Sequence, residues 1–393
     1  MFKVLQMHFP TDIQSIKNRI KKIDPVGYGI TRNYLDGKVT YLSPYISRGV
    51  ISTRQLAEYL MQLDYQPHQI LRLIQELAWR DYFQRVWQQL GDDIFEDIRM
   101  NRTAIRTHKI PKAILEASTG IAAVDEGIQS LIRTGYMHNH IRMYTASISC
   151  NIGRTDWRLP SQWMYYHLLD GDLASNTLSW QWVAGTFSSK KYYCNQENIN
   201  QYCGTKQKGT FLDKPYLDLP SLDVPSALEP VENITLQTQL PKKESPVLDP
   251  SLPVLLYHPY HLDPSWKKNI KANRILVLEP SHFREHPVSE AVIKFIIELG
   301  ENIEGLQIFA GEVGEITRLR DCNSIYTREH PSFQHFPGVH ESREWLVPEL
   351  TGRFTSFFDY WKKAEKVLFP KTKKADPALT LFSESPVLSL QKR

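Results

Sequence analysis

Two short runs hold the residues with the most chemistry to offer. Met137-His138-Asn139-His140-Ile141-Arg142-Met143 places an arginine, an amide and two imidazoles close together. Further along, Asp170-Gly171-Asp172-Leu173-Ala174-Ser175-Asn176-Thr177-Leu178-Ser179-Trp180-Gln181-Trp182 adds two carboxylates, a second amide and two tryptophans. Neither run shows the stripe of polar residues that a water-facing helix carries, so these groups are expected to face the interior. Arg142 is a fixed fork of donors and Asp170 or Asp172 its natural partner, and a buried pair of this kind beside an amide is a rigid polar surface able to grip a planar heterocycle. A structural ion pair inside a helical bundle is the plainer alternative, and on these residues alone it stays open.

Two further stretches point the same way. Tyr28 to Arg32 is followed by Thr40-Tyr41-Leu42-Ser43-Pro44-Tyr45 and Gly49-Val50-Ile51-Ser52, where Pro44 marks the first turn of a helix and helix starts bind phosphate. By itself that is a capping signal. In Glu76-Leu77-Ala78-Trp79-Arg80-Asp81-Tyr82-Phe83, the residues Glu76, Trp79, Arg80 and Phe83 fall at i, i+3, i+4 and i+7, on one helix face. An aromatic stripe at that spacing is ordinarily core, but two charges on the same stripe argue for a site.

These segments resemble the flavin-clamping core of the DNA photolyase and cryptochrome family, whose members carry W-M-H-N-R-x-R-M and D-G-D-x-A-x-N-x-x-x-W-x-W. The resemblance covers most of residues 26–216, with the motifs in the family's order. It implies FAD as cofactor, with Tyr28, Thr40, Leu42, Ser43, Arg80, Arg142, Asp170, Asp172 and Asn176 as its binding residues. Val39 stands where the family usually has a hydroxyl. The resemblance also implies light-driven electron transfer from reduced FAD to a pyrimidine dimer flipped out of the duplex. Trp79 and Trp182 are then expected to stack on the dimer, with Glu76, Asn139, His140 and Met143 as further substrate contacts. Trp180 and Trp157 match the inner members of the family's photoreducing chain, and Ala104 falls where the third tryptophan is expected. Asn176 matches the position beside the redox-active nitrogen, so Trp180, Trp157, Asn176 and Glu76 are the expected catalytic set. His140 replaces an arginine that contacts lesion phosphate in dimer-repairing relatives.

Length and composition agree with a two-domain cytoplasmic enzyme, and a monomer is expected. At 393 residues, 41% hydrophobic and 11% aromatic, the chain can bury two cores. No apolar run reaches membrane-span length, and the first residues are not those of a signal peptide. Cys150, Cys194, Cys203 and Cys322 form no C-x-x-C pair, so neither zinc, nor an iron–sulfur cluster, nor a disulfide framework is expected. Residues 1–216 carry 26 Lys and Arg against 19 Asp and Glu, whereas residues 217–393 carry 21 against 24. The motif-bearing half is the basic one, which suits a DNA partner.

The expected fold class is α + α/β, an all-helical FAD-binding domain followed by a smaller parallel Rossmann-like domain. Residues 1–216 read as helical, opening on a short amphipathic lead, and 217–253 as a proline-rich linker; 254–370 form the α/β domain and 371–393 a flexible tail. Val254–Tyr257, Arg274–Leu278 and Leu306–Ala310 are short, fully apolar strands, and a helix is expected near Ser289–Gly300. The segment Phe354 to Trp361 is expected to cover the sheet. From His258 onward this half resembles the α/β domain that precedes the helical domain in most photolyases, here in inverted order. A generic Rossmann-like module is the alternative, although no G-x-G-x-x-G follows a strand, and no residue is assigned to an antenna chromophore.

Three functions fit. The first is repair of cyclobutane pyrimidine dimers. The second is a cryptochrome-like photoreceptor without catalysis, favoured by His140, Ala104 and the domain order; the third is a light-independent DNA-binding flavoprotein. The (6-4) photoproduct is disfavoured, because enzymes acting on it pair two histidines where this chain has His138-Asn139.

Overall fold

The computed structural model describes residues 8–100 and 105–370; Ala104 and the tail 371–393 lie outside the described residues. Helix starts follow local chemistry. Asp12 caps α1 (Ile13–Lys21) by accepting from the Ser15 amide, and Asp24 does the same at Gly27 for α2 (Pro25–Thr31). After the single turn α3 (Ser43–Ser47), with Pro44 in its first turn, Ser52 and Gln55 form a capping box at the head of α4 (Thr53–Gln62). The long α5 (Pro67–Leu90) starts on a proline and ends at Gly91.

A two-residue strand β1 (Ile110–Pro111) runs into α6 (Lys112–Leu115), then α7 (Ala122–Thr134), which ends on the left-handed Gly135. α8 (Asn139–Ala146) continues as a π-helical turn over Ser147–Ile152, before α9 (Arg158–His167), α10 (Leu173–Ala184) and α11 (Gln196–Cys203). α10 buries Leu173, Thr177, Trp180, Gln181 and Val183 around its circumference, as a central helix must. The proline-rich stretch lies along the surface. Its β2 (Val231–Glu232) pairs antiparallel with β1, and Thr238 exchanges two hydrogen bonds with Val288.

The second half is a five-stranded, wholly parallel sheet. It comprises β3 (Val254–Tyr257), β4 (Asn273–Val277), β5 (Leu306–Phe309), β6 (Ile325–Arg328) and β7 (Val339–Glu341), in the order β5-β4-β3-β6-β7. The chain winds outward from β3 to β5, returns, and winds the other way, so the strand order reverses between β3 and β6. Ligands of open α/β sheets bind in the crevice at such a reversal. α12 (Pro280–Glu285) follows β4 and α13 (Glu290–Gly300) crosses to β5.

α14 (Phe357–Leu368) departs from expectation. It lies on α5, with Phe357 on Trp79 and Tyr360 against Tyr82, because the long helix still had an uncovered aromatic face. Buried apolar residues also sort across the expected boundary. One cluster joins Ile16, Leu42, Leu56, Ile74 and Trp87 of α1–α5 to Leu255, Leu276 and Phe309 of the sheet. The second comprises Val124, Ile128, Tyr144, Ile148, Trp180 and Leu228. Where the two halves meet, the Leu262 amide donates to the Arg48 carbonyl at 2.9 Å. Gly49 sits beside it at φ +63, and a Cβ there would be 2.3 Å from the Tyr260 carbonyl oxygen, so only glycine fits.

Candidate functional site

Two carboxylates flank Gly171, and each holds an arginine. Arg142 Nη2 donates to both Asp170 oxygens at 3.0 and 2.8 Å, while its Nε donates to the Met137 carbonyl at 2.8 Å, so the guanidinium is fixed at both ends. Asp172 caps α10, accepting from the Ser175 amide at 2.7 Å. Its other oxygen accepts from Arg80 Nη2 at 3.0 Å and Gln84 Nε2 at 2.5 Å. The two pairs are linked through Ser47, whose hydroxyl accepts from Arg80 Nη1 at 3.0 Å and donates to the Asp170 carbonyl at 2.8 Å. Both carboxylates are buried. Charges taken out of water persist only with such partners.

Asn176 lies one turn into α10, and its amide donates to the Ser161 carbonyl at 3.0 Å. Next to it the Ser175 hydroxyl is buried with no hydrogen-bond partner. A buried hydroxyl without a partner costs free energy unless a ligand or water meets it. Beside Arg80 and Asp172 a cavity of about 110 Å³ opens onto His258, Tyr260 and His330 after β3 and β6, and onto Arg343 and Trp345 after β7. This is the crevice where the strand order reverses. Arg343 ties it to the acids, donating to the Gln84 side-chain oxygen and pairing with Glu329 at 2.8 Å. The lining histidines are held neutral by burial, which pushes His258 down to about 3 and His330 well below its ordinary value.

The other expected residues are placed as follows. Tyr28, Thr40, Leu42, Ser43, Arg142, Asp170 and Asn176 do not line that cavity. Leu42 is fully buried, its amide donating to the Thr40 hydroxyl oxygen at 3.3 Å at the head of α3. Burial and the nearby Glu76 charge raise the Tyr28 phenol, so it stays protonated. Glu76 pairs with Arg32 at 3.2 Å. Trp79 and Trp182 have separate partners: Trp79 stacks on Phe357 with centroids 3.6 Å apart at 9°, and Trp182 packs on Tyr192. Asn139 is exposed and its amide approaches Met143 Sδ at 3.9 Å. Trp180 is buried in the helical core. Trp157 is buried as well, its indole N–H donating to Asp97 at 2.8 Å and Arg158 lying over its ring at 5.0 Å.

His140 is buried, stacked between Tyr144 and Tyr202, and its Nδ1 is 2.6 Å from the Asn33 carbonyl. Ser47, Gln84 and Arg343 are the contributors that sequence reasoning missed. Gln84 lies one helical turn beyond Arg80 on α5, a spacing that could have flagged it. Arg343 carries no local signal, since only the fold brings β7's far loop to α5.

Residues 73–239 match the family model described as the FAD binding domain of DNA photolyase. A deoxyribodipyrimidine photo-lyase of Alkalihalophilus pseudofirmus is 30% identical over 176 residues, which is 44% of this chain and 36% of that protein. One from a Synechococcus strain is 33% identical over 174 residues, 40% of this chain and 35% of the other. A cryptochrome DASH of Danio rerio is 33% identical over 166 residues, 40% of this chain and 32% of that one. The chain thus spans about a third of the length of these relatives. Both named classes are represented at equal identity.

Proposed function

Residues 73–239 belong to the photolyase and cryptochrome family and form an FAD-binding domain, and on that premise we propose that the chain is a blue-light-driven flavoenzyme that repairs cyclobutane pyrimidine dimers in DNA. The observation that carries the reading is the pair of arginine-held carboxylates on either side of Gly171, with Asn176 and the unpartnered Ser175 hydroxyl one turn further. These residues fit the flavin: two fixed polar edges for a planar ring, an amide beside it, and a buried hydroxyl in need of a partner. Arg142 and Asp170, with Arg80 and Asp172, would hold and orient the ring, and Asn176 would hydrogen-bond its redox-active edge. Reduced FAD, when bound, supplies the electron that light promotes.

The chain's own residues do the rest. Trp180 is the inner electron donor that restores the reduced cofactor, and Trp157 is the next. Trp79 and Trp182 stack on the flipped dimer, with Glu76, Asn139 and Met143 around it, and the basic balance of residues 1–216 meets the phosphate backbone. The α/β part is proposed as the counterpart of the domain that precedes the flavin domain in most photolyases, here following it.

The test is direct. Protein with chemically reduced flavin is mixed with a duplex carrying one thymine dimer and illuminated, and dimer loss is followed. Light-dependent loss is expected; none, with flavin bound, refutes repair. A photoreceptor role without repair is the second reading. It is favoured by the covered face of Trp79 and by the buried His140, which remove two expected substrate contacts from the surface.

A further inference from the structure

The stacking face of Trp79 is already filled. Phe357 lies on it with ring centroids 3.6 Å apart and planes 9° apart. Aromatic side chains ordinarily meet offset or edge-on with centroids about 4.5–7 Å apart. A flat, close stack is instead the arrangement a nucleobase adopts on a tryptophan. Elsewhere around Trp79 the neighbours are ordinary packing, with Phe83 tilted at 5.4 Å and Tyr82 edge-on at 6.0 Å.

The segment that delivers Phe357 is lightly held. From Glu349 to Phe358, Phe354 and Phe357 are the buried side chains. Phe357 is the first residue of α14, whose start is capped by Ser356 accepting from the Asp359 amide at 3.2 Å. Further along the helix Tyr360 meets Tyr82 of α5, and Trp361 and Ala364 are buried, so the rest of α14 has a hold of its own on the molecule, although Trp361 also packs on Phe357 at 6.3 Å and Tyr360 on Phe354 at 5.1 Å. Just before the segment Arg85 donates to the Val347 carbonyl at 2.9 Å; within it Gly352 turns the chain at φ +89 and accepts at its carbonyl from the Gln89 side chain of α5, and the Thr355 amide donates to Asp359 at 3.2 Å.

We propose that residues 349–358 are a strap that closes the lesion site, with the Phe357 ring occupying the place of a flipped base on Trp79. One ring face accepts one partner, so lesion binding requires the first turn of α14 to open. The apparent affinity is then lowered by the fraction of molecules in which the strap is closed. The inference rests on the base-stacking role proposed for Trp79.

The experiment measures binding of the FAD-loaded protein to a duplex with one thymine dimer and to the same duplex undamaged. Phe357→Leu keeps an apolar side chain at the start of α14 and removes the flat ring; Phe357→Ala removes it altogether. A competing stack worth about as much as a base on an aromatic ring predicts roughly tenfold tighter binding to the damaged duplex in each, with the undamaged duplex unaffected. Adding Trp79→Ala to Phe357→Leu should erase the gain. Thermal unfolding of Phe357→Leu checks that the fold is kept. If wild type prefers damaged duplex and Trp79→Ala weakens that preference, but both Phe357 variants bind no tighter, the strap is overturned and the base-stacking role stands. If no variant or wild type distinguishes the duplexes, the base-stacking role falls and takes the strap with it.

Discussion

Replacing Asp172 tests the clamp most sharply, because the carboxylate does three separable things. It caps α10 through the Ser175 amide, it is the anionic partner of Arg80, and it accepts from Gln84. Asp172→Asn keeps the cap and the shape but removes the charge. Removing one member of a buried pair costs about 3–5 kcal/mol; the Arg80 side chain retains 22% exposure and a bond to Ser47, which favours the lower end, about 3 kcal/mol. Asp172→Ala also loses the cap, worth roughly 1 kcal/mol more, for about 4 kcal/mol in all. Urea unfolding of the two variants, with bound FAD read by absorbance, separates the contributions. Both should lose most of their flavin. A double-mutant cycle with Arg80→Gln should return a coupling of about 1–3 kcal/mol. An Asp172→Ala protein within 1 kcal/mol of wild type, or one that keeps stoichiometric flavin, would refute the reasoning.

Other outcomes follow from the same geometry. Ser47→Ala breaks the bridge between the two ion pairs and should cost about 1–2 kcal/mol while loosening FAD, read by unfolding and by flavin titration. Trp180→Phe should abolish photoreduction of oxidised flavin but leave dimer splitting by prereduced protein intact; full photoreduction would place the donor elsewhere. His140→Arg should destabilise by roughly 1–3 kcal/mol, because a larger side chain enters a full site, and should leave the salt dependence of DNA binding unchanged; a steeper dependence would show that the position reaches phosphate. Burial pushes His138, His167 and His286 down to about 4 and His258 to about 3. The unfolded chain, with ordinary histidines, therefore binds more protons between pH 6.5 and 4, so stability should be flat above pH 7 and fall steadily through that window. Thermal melts across pH 4–8 check it, and a melting point that rose as pH fell would refute it.

The helical half was legible because its polar residues violate the pattern of a surface helix, and that violation is local. Arg142, Asp170 and Asp172 could be paired from their types before any coordinates. In the sheet, β3, β4 and β5 were readable as apolar runs. β6 and β7 were not: Ile325–Arg328 and Val339–Glu341 have no run of three apolar residues in sequence like Ile275–Val277 of β4, and β7 holds a histidine and a glutamate in its three residues. The destination of α14 was equally hidden. Phe357 and Trp361 announce a face to be buried, but not whether a sheet or a helix will bury it. The surroundings of His140 were hidden in the same way, since only the fold brings Tyr202 and Asn33 around it.

The chain's first described helix is tied to nearly its last third. The Ile13 amide donates to the Asn302 side chain at 2.8 Å, and that side chain donates back to the Thr11 carbonyl at 2.7 Å, across 289 residues. Ile16 and Leu42 share their burial with strands made equally late. During synthesis the tie between Ile13 and Asn302 can therefore close only after the chain between them is made, which at about 5–20 residues per second is roughly 15–60 s. For that interval only the early members of the cluster that holds Ile16 and Leu42, among them Leu56, Ile74 and Trp87, can gather, and the sheet completes it last.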